Sequence, residues 1–132
     1  MIDDPLHAAG LWTGLLILLM VVLSLTTVMR RRRLKVSLGD GGHGELAAAS
    51  RAFGNASEYI PVGLVALVLM AVIGFRVEWI HAVGATLFLG RVLHAQGLLS
   101  GRAVTPGRLI GMLLTLSALI GAAVALIACP WL

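Results

Sequence analysis

Residues 8–29 read AAGLWTGLLILLMVVLSLTTVM, with no charge among them, and run directly into Arg30, Arg31, Arg32, Arg33, Leu34 and Lys35. An α-helix rises about 1.5 Å per residue, so an uncharged run of this length matches a hydrocarbon core of about 30 Å. A second such run is Leu109 to Ala128. Between them lie Ile60 to Phe75 and Trp79 to Gly90, each shorter and flanked by polar residues. The pattern predicts an all-α, four-transmembrane-helix bundle forming a single membrane domain over residues 1–132. Its spans are expected at about 8–30, 45–75, 78–99 and 106–128.

Composition agrees. Of 132 residues, 59% are hydrophobic and only 12% charged, and a soluble domain this small could not bury so much apolar surface. Asp3 and Asp4 before the first run, together with its length, argue against a cleavable signal peptide. The one cysteine, Cys129, excludes an internal disulfide and reads as a small packing residue.

Four spans put both termini on one side. Nine of the ten basic residues then fall on or near the other side: Arg30 to Arg33, Lys35, Arg51, Arg91, Arg102 and Arg108. The positive-inside rule places that side in the cytoplasm and both termini outside. Trp12, Trp79 and Trp131 map to the outer helix ends, as an interfacial aromatic belt would. The location expected is integral and multi-pass, in the cell inner membrane if the source is bacterial. The net charge of +4 belongs to this topology signal and to anchoring at anionic head groups, and does not call for nucleic acid.

Local signals refine the outline. SLGDGGHG at 37–44 is a glycine-rich connection after which the second helix should start, near Gly44 or Glu45, and run to about Gly74. Thr105 and Pro106 suit the N-cap and first position of the fourth helix. Gly63, Gly84, Gly90, Gly111 and Gly121 permit close helix contacts in lipid.

Polar residues inside the helices need partners. Arg51, Asn55 and Glu58 are spaced by four and three and form one stripe beside Tyr59, close to the cytoplasmic border. An Arg or Glu facing lipid costs about 2.5–3.5 kcal/mol on insertion scales, so the stripe is expected to face other helices or a water-filled cavity. Arg91 and His94 share a face with Leu98 on the third helix, and Arg108 opens the fourth. With Arg30 and Arg31 these residues could converge at one depth. Arginines, neutral donors and one carboxylate together suit a small anion carrying several carboxylates and an amine. The structural alternative, arginines snorkelling to head groups and Glu58 pairing with a neighbouring arginine, stays open. His81 and His94 lie at opposite ends of one helix and the other spans hold no histidine, which argues against haem and against a bound metal.

Arg51-Ala-Phe-Gly-Asn55-Ala-Ser-Glu58-Tyr59-Ile-Pro61 closely resembles the second-helix signature of the MAPEG family, the membrane-associated proteins of eicosanoid and glutathione metabolism. Gly90-Arg91-Val92-Leu93-His94 and Pro106-Gly107-Arg108 are similar to that family's third-helix segment and its start of helix four, as found in the prostaglandin E synthase branch. The resemblance implies a homotrimer in the bilayer with glutathione, as co-substrate, bound between subunits on the cytoplasmic side. It assigns Arg51, Asn55, Glu58 and Tyr59 to glutathione binding, lined also by Arg91 and His94, with Arg30 and Arg31 reaching in from the adjacent chain. Arg108 would stabilise the thiolate. A lipophilic small molecule would be the second substrate.

The sequence also departs from the family. Leu98 stands where eicosanoid-making members carry tyrosine, Gly54 replaces an arginine, and the loop before Pro106 is about two residues longer than in the prostaglandin branch. These point away from eicosanoid synthesis and towards bacterial members. Two alternatives accompany the glutathione-dependent transferase or peroxidase reading. One is a non-catalytic protein of the same fold. The other is a small four-helix transporter, disfavoured because the first span lacks the mid-membrane carboxylate such exporters use.

Overall fold

The computed structural model describes residues 4–102 and 104–129; Trp131 and Asp3, named above, lie outside them. It contains four helices, α1 (Pro5–Leu34), α2 (Gly44–Ile73), α3 (Val77–Leu99) and α4 (Pro106–Ala128). All four are long and apolar enough to cross a membrane, and no strand occurs among the described residues.

The helix ends follow from local chemistry. The Asp4 carboxylate caps α1 by accepting from the Leu6 and His7 N–H groups at 2.8 and 3.1 Å. The His7 N–H holds that carboxyl below its usual range. At its far end α1 runs through all four arginines, a full turn beyond the expected limit, because arginine is a good helix former. It stops only where Lys35 adopts a left-handed conformation (φ 54°). Gly74, with φ 91°, closes α2 in the left-handed region that glycine tolerates best. Thr105 caps α4 through the Arg108 N–H and Pro106 takes the first position, as the sequence indicates.

α3 is the central element and packs on α1, α2 and α4, whereas α1 and α4 do not touch. Glycines set the close crossings. At Gly90 an added Cβ would lie 2.9 Å from the Gly111 carbonyl oxygen, and at Gly111 it would lie 2.5 Å from the His94 nitrogen, so α3 and α4 meet backbone to backbone. Gly63 accommodates Leu87. Gly84 makes room for the Trp12 ring, whose Nε1–H donates to His81 Nδ1 at 3.0 Å. Trp12, near the start of α1, thus packs between α1 and α3, while Trp79 is exposed. Gly121 meets nothing within 4 Å, so it provides no close helix contact among the described residues.

Candidate functional site

The polar residues of α2, α3 and α4 meet in one hydrogen-bonded chain. Its centre is Arg91, on the α3 face that also carries His94 and Leu98, and only 2% exposed. Arg91 Nε–H donates to Thr115 Oγ1 at 2.8 Å, and the Thr115 hydroxyl donates to the Gly111 carbonyl one turn back on α4. Arg91 Nη1 donates to Asn55 Oδ1 at 2.7 Å. Because that amide oxygen is occupied, the Asn55 Nδ2 group turns towards Glu58 Oε2, at 3.4 Å. Glu58 Oε1 accepts from Arg51 Nη1 at 3.2 Å. The Arg91 guanidinium also lies 5.0 Å from the Tyr59 ring centroid, where the ring face attracts a cation.

This arrangement joins three helices and ends at the protein surface. Asn55 is buried, whereas the side chains of Arg51 and Glu58 are 62% and 54% exposed. Of the α2 stripe, expected to face other helices or a water-filled cavity, Asn55 alone is buried within this chain. Arg51 and Glu58 neutralise each other at the outer edge instead.

Burial of Arg91 without a carboxylate is costly unless its donors are used. None of the ion pairs among the described residues includes it. Its Nη2 is enclosed and has no hydrogen-bond partner among the described residues. Neutral oxygens and an aromatic face thus carry the solvation of a full positive charge.

His94 lies one turn along α3, and its Nδ1 sits 2.9 Å from the Arg108 carbonyl. A carbonyl only accepts, so Nδ1 carries the proton. The bond ties the first turn of α4 to α3. Gly97 completes the seat, since a Cβ there would be 2.6 Å from Arg108 Cγ and from Thr105 Oγ1. Arg108 is half-buried, and its Nη1 approaches the Arg102 carbonyl at 3.5 Å. The charges of Arg91, Arg108 and Arg51 all act on His94.

Arg30 and Arg31 are directed away from this cluster. Arg30 donates to the Glu45 carbonyl, and Arg31 donates to the Gly39 carbonyl at 2.8 Å. Thr115 is the participant that the sequence pattern did not mark. The available signal for Thr115 was its hydroxyl in an otherwise apolar run shared only with Ser117. Among the described residues no group of three or more His, Cys, Asp or Glu is placed to hold a metal ion.

The MAPEG family model matches residues 9–128. Over 89 residues the chain is 37% identical to "Inner membrane protein YecN" of Escherichia coli (strain K12), a match covering 67% of this chain and 68% of that protein. The protein of the same name from Escherichia coli O6:H1 matches over the same span with the same identity. Four membrane-crossing helices and an inner membrane relative make this a multi-pass inner membrane protein. Its four helices, its α2 signature and the match across nearly its whole length have one meaning: the chain belongs to the MAPEG family.

Proposed function

We propose that this protein is a membrane-bound glutathione-dependent transferase or peroxidase, activating glutathione as the thiolate for attack on lipophilic electrophiles. One observation carries the reading: the chain of hydrogen bonds from buried Arg91 through Asn55 to a carboxylate and a guanidinium at the protomer surface. A tripeptide with two carboxylates and an ammonium needs fixed partners of both signs, and Arg51 and Glu58 supply them side by side. In this reading three subunits assemble, with Arg30 and Arg31 of each reaching the site of its neighbour. The basic loops face the cytoplasm, where glutathione is dissolved.

The chemistry asks little more of the protein. A free thiol titrates near 8.5 and is mostly protonated at neutral pH. The Arg108 guanidinium beside the sulfur favours the thiolate, and Gly97 with the His94 contact fixes where that guanidinium starts from. The electrophile reaches the sulfur from the bilayer side, and simple conjugation needs no proton relay.

A second reading, a MAPEG-fold protein without turnover, is favoured by Leu98, a buried aliphatic residue on the same α3 face as His94. The two separate experimentally. Calorimetry of glutathione with purified protein, followed by conjugation of a general aryl halide, should give binding and turnover, with turnover lost in Arg108→Ala. Binding without turnover across a broad electrophile panel supports the second reading; absence of binding removes both forms of a glutathione site.

A further inference from the structure

The five basic residues that close α1 divide into two groups. Arg30 and Arg33 grip the first turn of α2, through the Glu45 carbonyl and the Glu45 carboxylate respectively. Arg31 is fixed by the Gly39 carbonyl. The side chains of Arg32 and Lys35 make no hydrogen bond or ion pair among the described residues. With Arg31 they border a shallow, open surface depression of about 340 Å³ completed by Val28, Val36 and Ser37.

Beneath this depression α1 carries an exposed apolar stripe. Leu18, Val21, Leu25 and Val28 follow one another at spacings of three, four and three, and all are exposed. Arg32 continues the same spacing, so one helix face passes from aliphatic to cationic at the helix end, and Lys35, at the left-handed C-cap, borders the same site. Hydrocarbon below and fixed positive charge above is the vertical order of a phospholipid, tail and then phosphate.

Charge balance points the same way. The carboxylates described at this end are Asp40, Glu45 and Glu58. Glu45 pairs with Arg33 and Glu58 with Arg51, and Asp40 accepts from the Gly42 N–H. Asp40 keeps its charge but forms no ion pair with Arg32 or Lys35, so these two cations have no carboxylate partner among the described residues. A second copy of this chain would bring Asp40 as its one unpaired carboxylate at this end, fewer than the cations it would face.

We infer that Arg31, Arg32 and Lys35 form a headgroup site for an anionic glycerophospholipid. Its phosphodiester sits among the three cations, with the Ser37 hydroxyl as a further donor, and one acyl chain lies along Val28, Leu25, Val21 and Leu18. Arg31 is shared with the proposed glutathione set, whereas Arg32 and Lys35 take no part in it, so substituting those two tests the lipid site apart from glutathione binding.

The test uses delipidated full-length protein in an uncharged detergent, titrated with phosphatidylglycerol, phosphatidylcholine or inorganic phosphate. Native mass spectrometry and the thermal midpoint are read. Phosphatidylglycerol should be retained and raise the midpoint, while phosphatidylcholine and phosphate should not. Arg32→Gln/Lys35→Gln should weaken phosphatidylglycerol roughly 30-fold, and Lys35→Gln alone about five-fold should the double variant not fold. Arg30→Gln/Arg33→Gln should lower the midpoint of lipid-free protein yet change lipid affinity less than about two-fold. Equal lipid binding by wild type and Arg32→Gln/Lys35→Gln overturns the assignment, as does equal weakening by the Arg30/Arg33 pair. Stabilisation by phosphate alone would make this a soluble-anion site instead. A change of oligomeric mass in the Arg32/Lys35 variant would make the stripe a protein interface.

Discussion

Nη1 of Arg91 and Oδ1 of Asn55 lie 2.7 Å apart across the α2–α3 interface, and both residues are buried. The pair is asymmetric. Removing asparagine leaves a buried cation short of a partner, whereas removing arginine leaves only a neutral amide. Asn55→Leu should therefore cost about 2–3 kcal/mol. Arg91→Met should cost less, and the double variant less than the sum of the two. Equilibrium unfolding in mixed micelles measures all three; a neutral Asn55→Leu would mean that Thr115 and the Tyr59 ring suffice.

The α3–α4 crossing offers a cleaner steric test. A Cβ at Gly111 meets backbone atoms of His94 and Gly90 at 2.5 and 2.6 Å, and backbone cannot move aside as a side chain can. Gly111→Ala should destabilise by about 2–3 kcal/mol. Gly121→Ala, where nothing lies within 4 Å, should be neutral or slightly stabilising through helix propensity. The same unfolding assay compares them, and equal effects would refute the crossing.

Under the glutathione reading, Arg108→Ala should abolish the thiolate absorbance of bound glutathione and lower turnover about 100-fold. Gly97→Ala acts one step removed. Its Cβ would press on Arg108 Cγ at 2.6 Å and on the Arg108 nitrogen at 2.8 Å. It should lower turnover while leaving the dissociation constant of glutathione nearly unchanged. A loss confined to binding would contradict the role given to Arg108.

At the opposite end of the molecule, acid should loosen α1. The Asp4 carboxyl is held below its ordinary value of 3.8 by the His7 N–H. A depressed value means that the cap is fully present above 3.8 and is lost as pH falls through the lowered one. Amide exchange at Leu6 and His7 should rise over that acid range, and already at neutral pH in Asp4→Ala. Unchanged exchange would show that the cap does not hold the first turn.

The helices were legible because each is written in local chemistry: uncharged runs, the Thr105–Pro106 start and the glycine-rich loop at 37–44. The α2 stripe was legible as a pattern, but its pairing was not. Nothing in the spacing of Arg51, Asn55 and Glu58 says that asparagine alone turns inward to meet an arginine 36 residues later. Thr115 stayed hidden for the same reason, since a lone hydroxyl in a transmembrane run ordinarily bonds its own helix, and here it does so while also accepting from Arg91. The packing role of Trp12 was not legible, because the space opposite it, at Gly84, lies on a different helix. Arg30 and Arg31 were expected, from resemblance, to reach an adjacent chain, and their partners inside this one are loop and helix-start carbonyls that only tertiary structure brings near.

The position of Arg91 also bears on how the protein is made. Synthesis delivers α3 to the membrane before α4, so at that moment the guanidinium has Asn55 to bond but Thr115 has not yet emerged. Alone in lipid, an arginine in a helix costs several kcal/mol on insertion scales. The nascent α3 should therefore wait at the insertion machinery until the following segment arrives, and the two should partition into the bilayer as a hairpin already joined at Gly90 and Gly111.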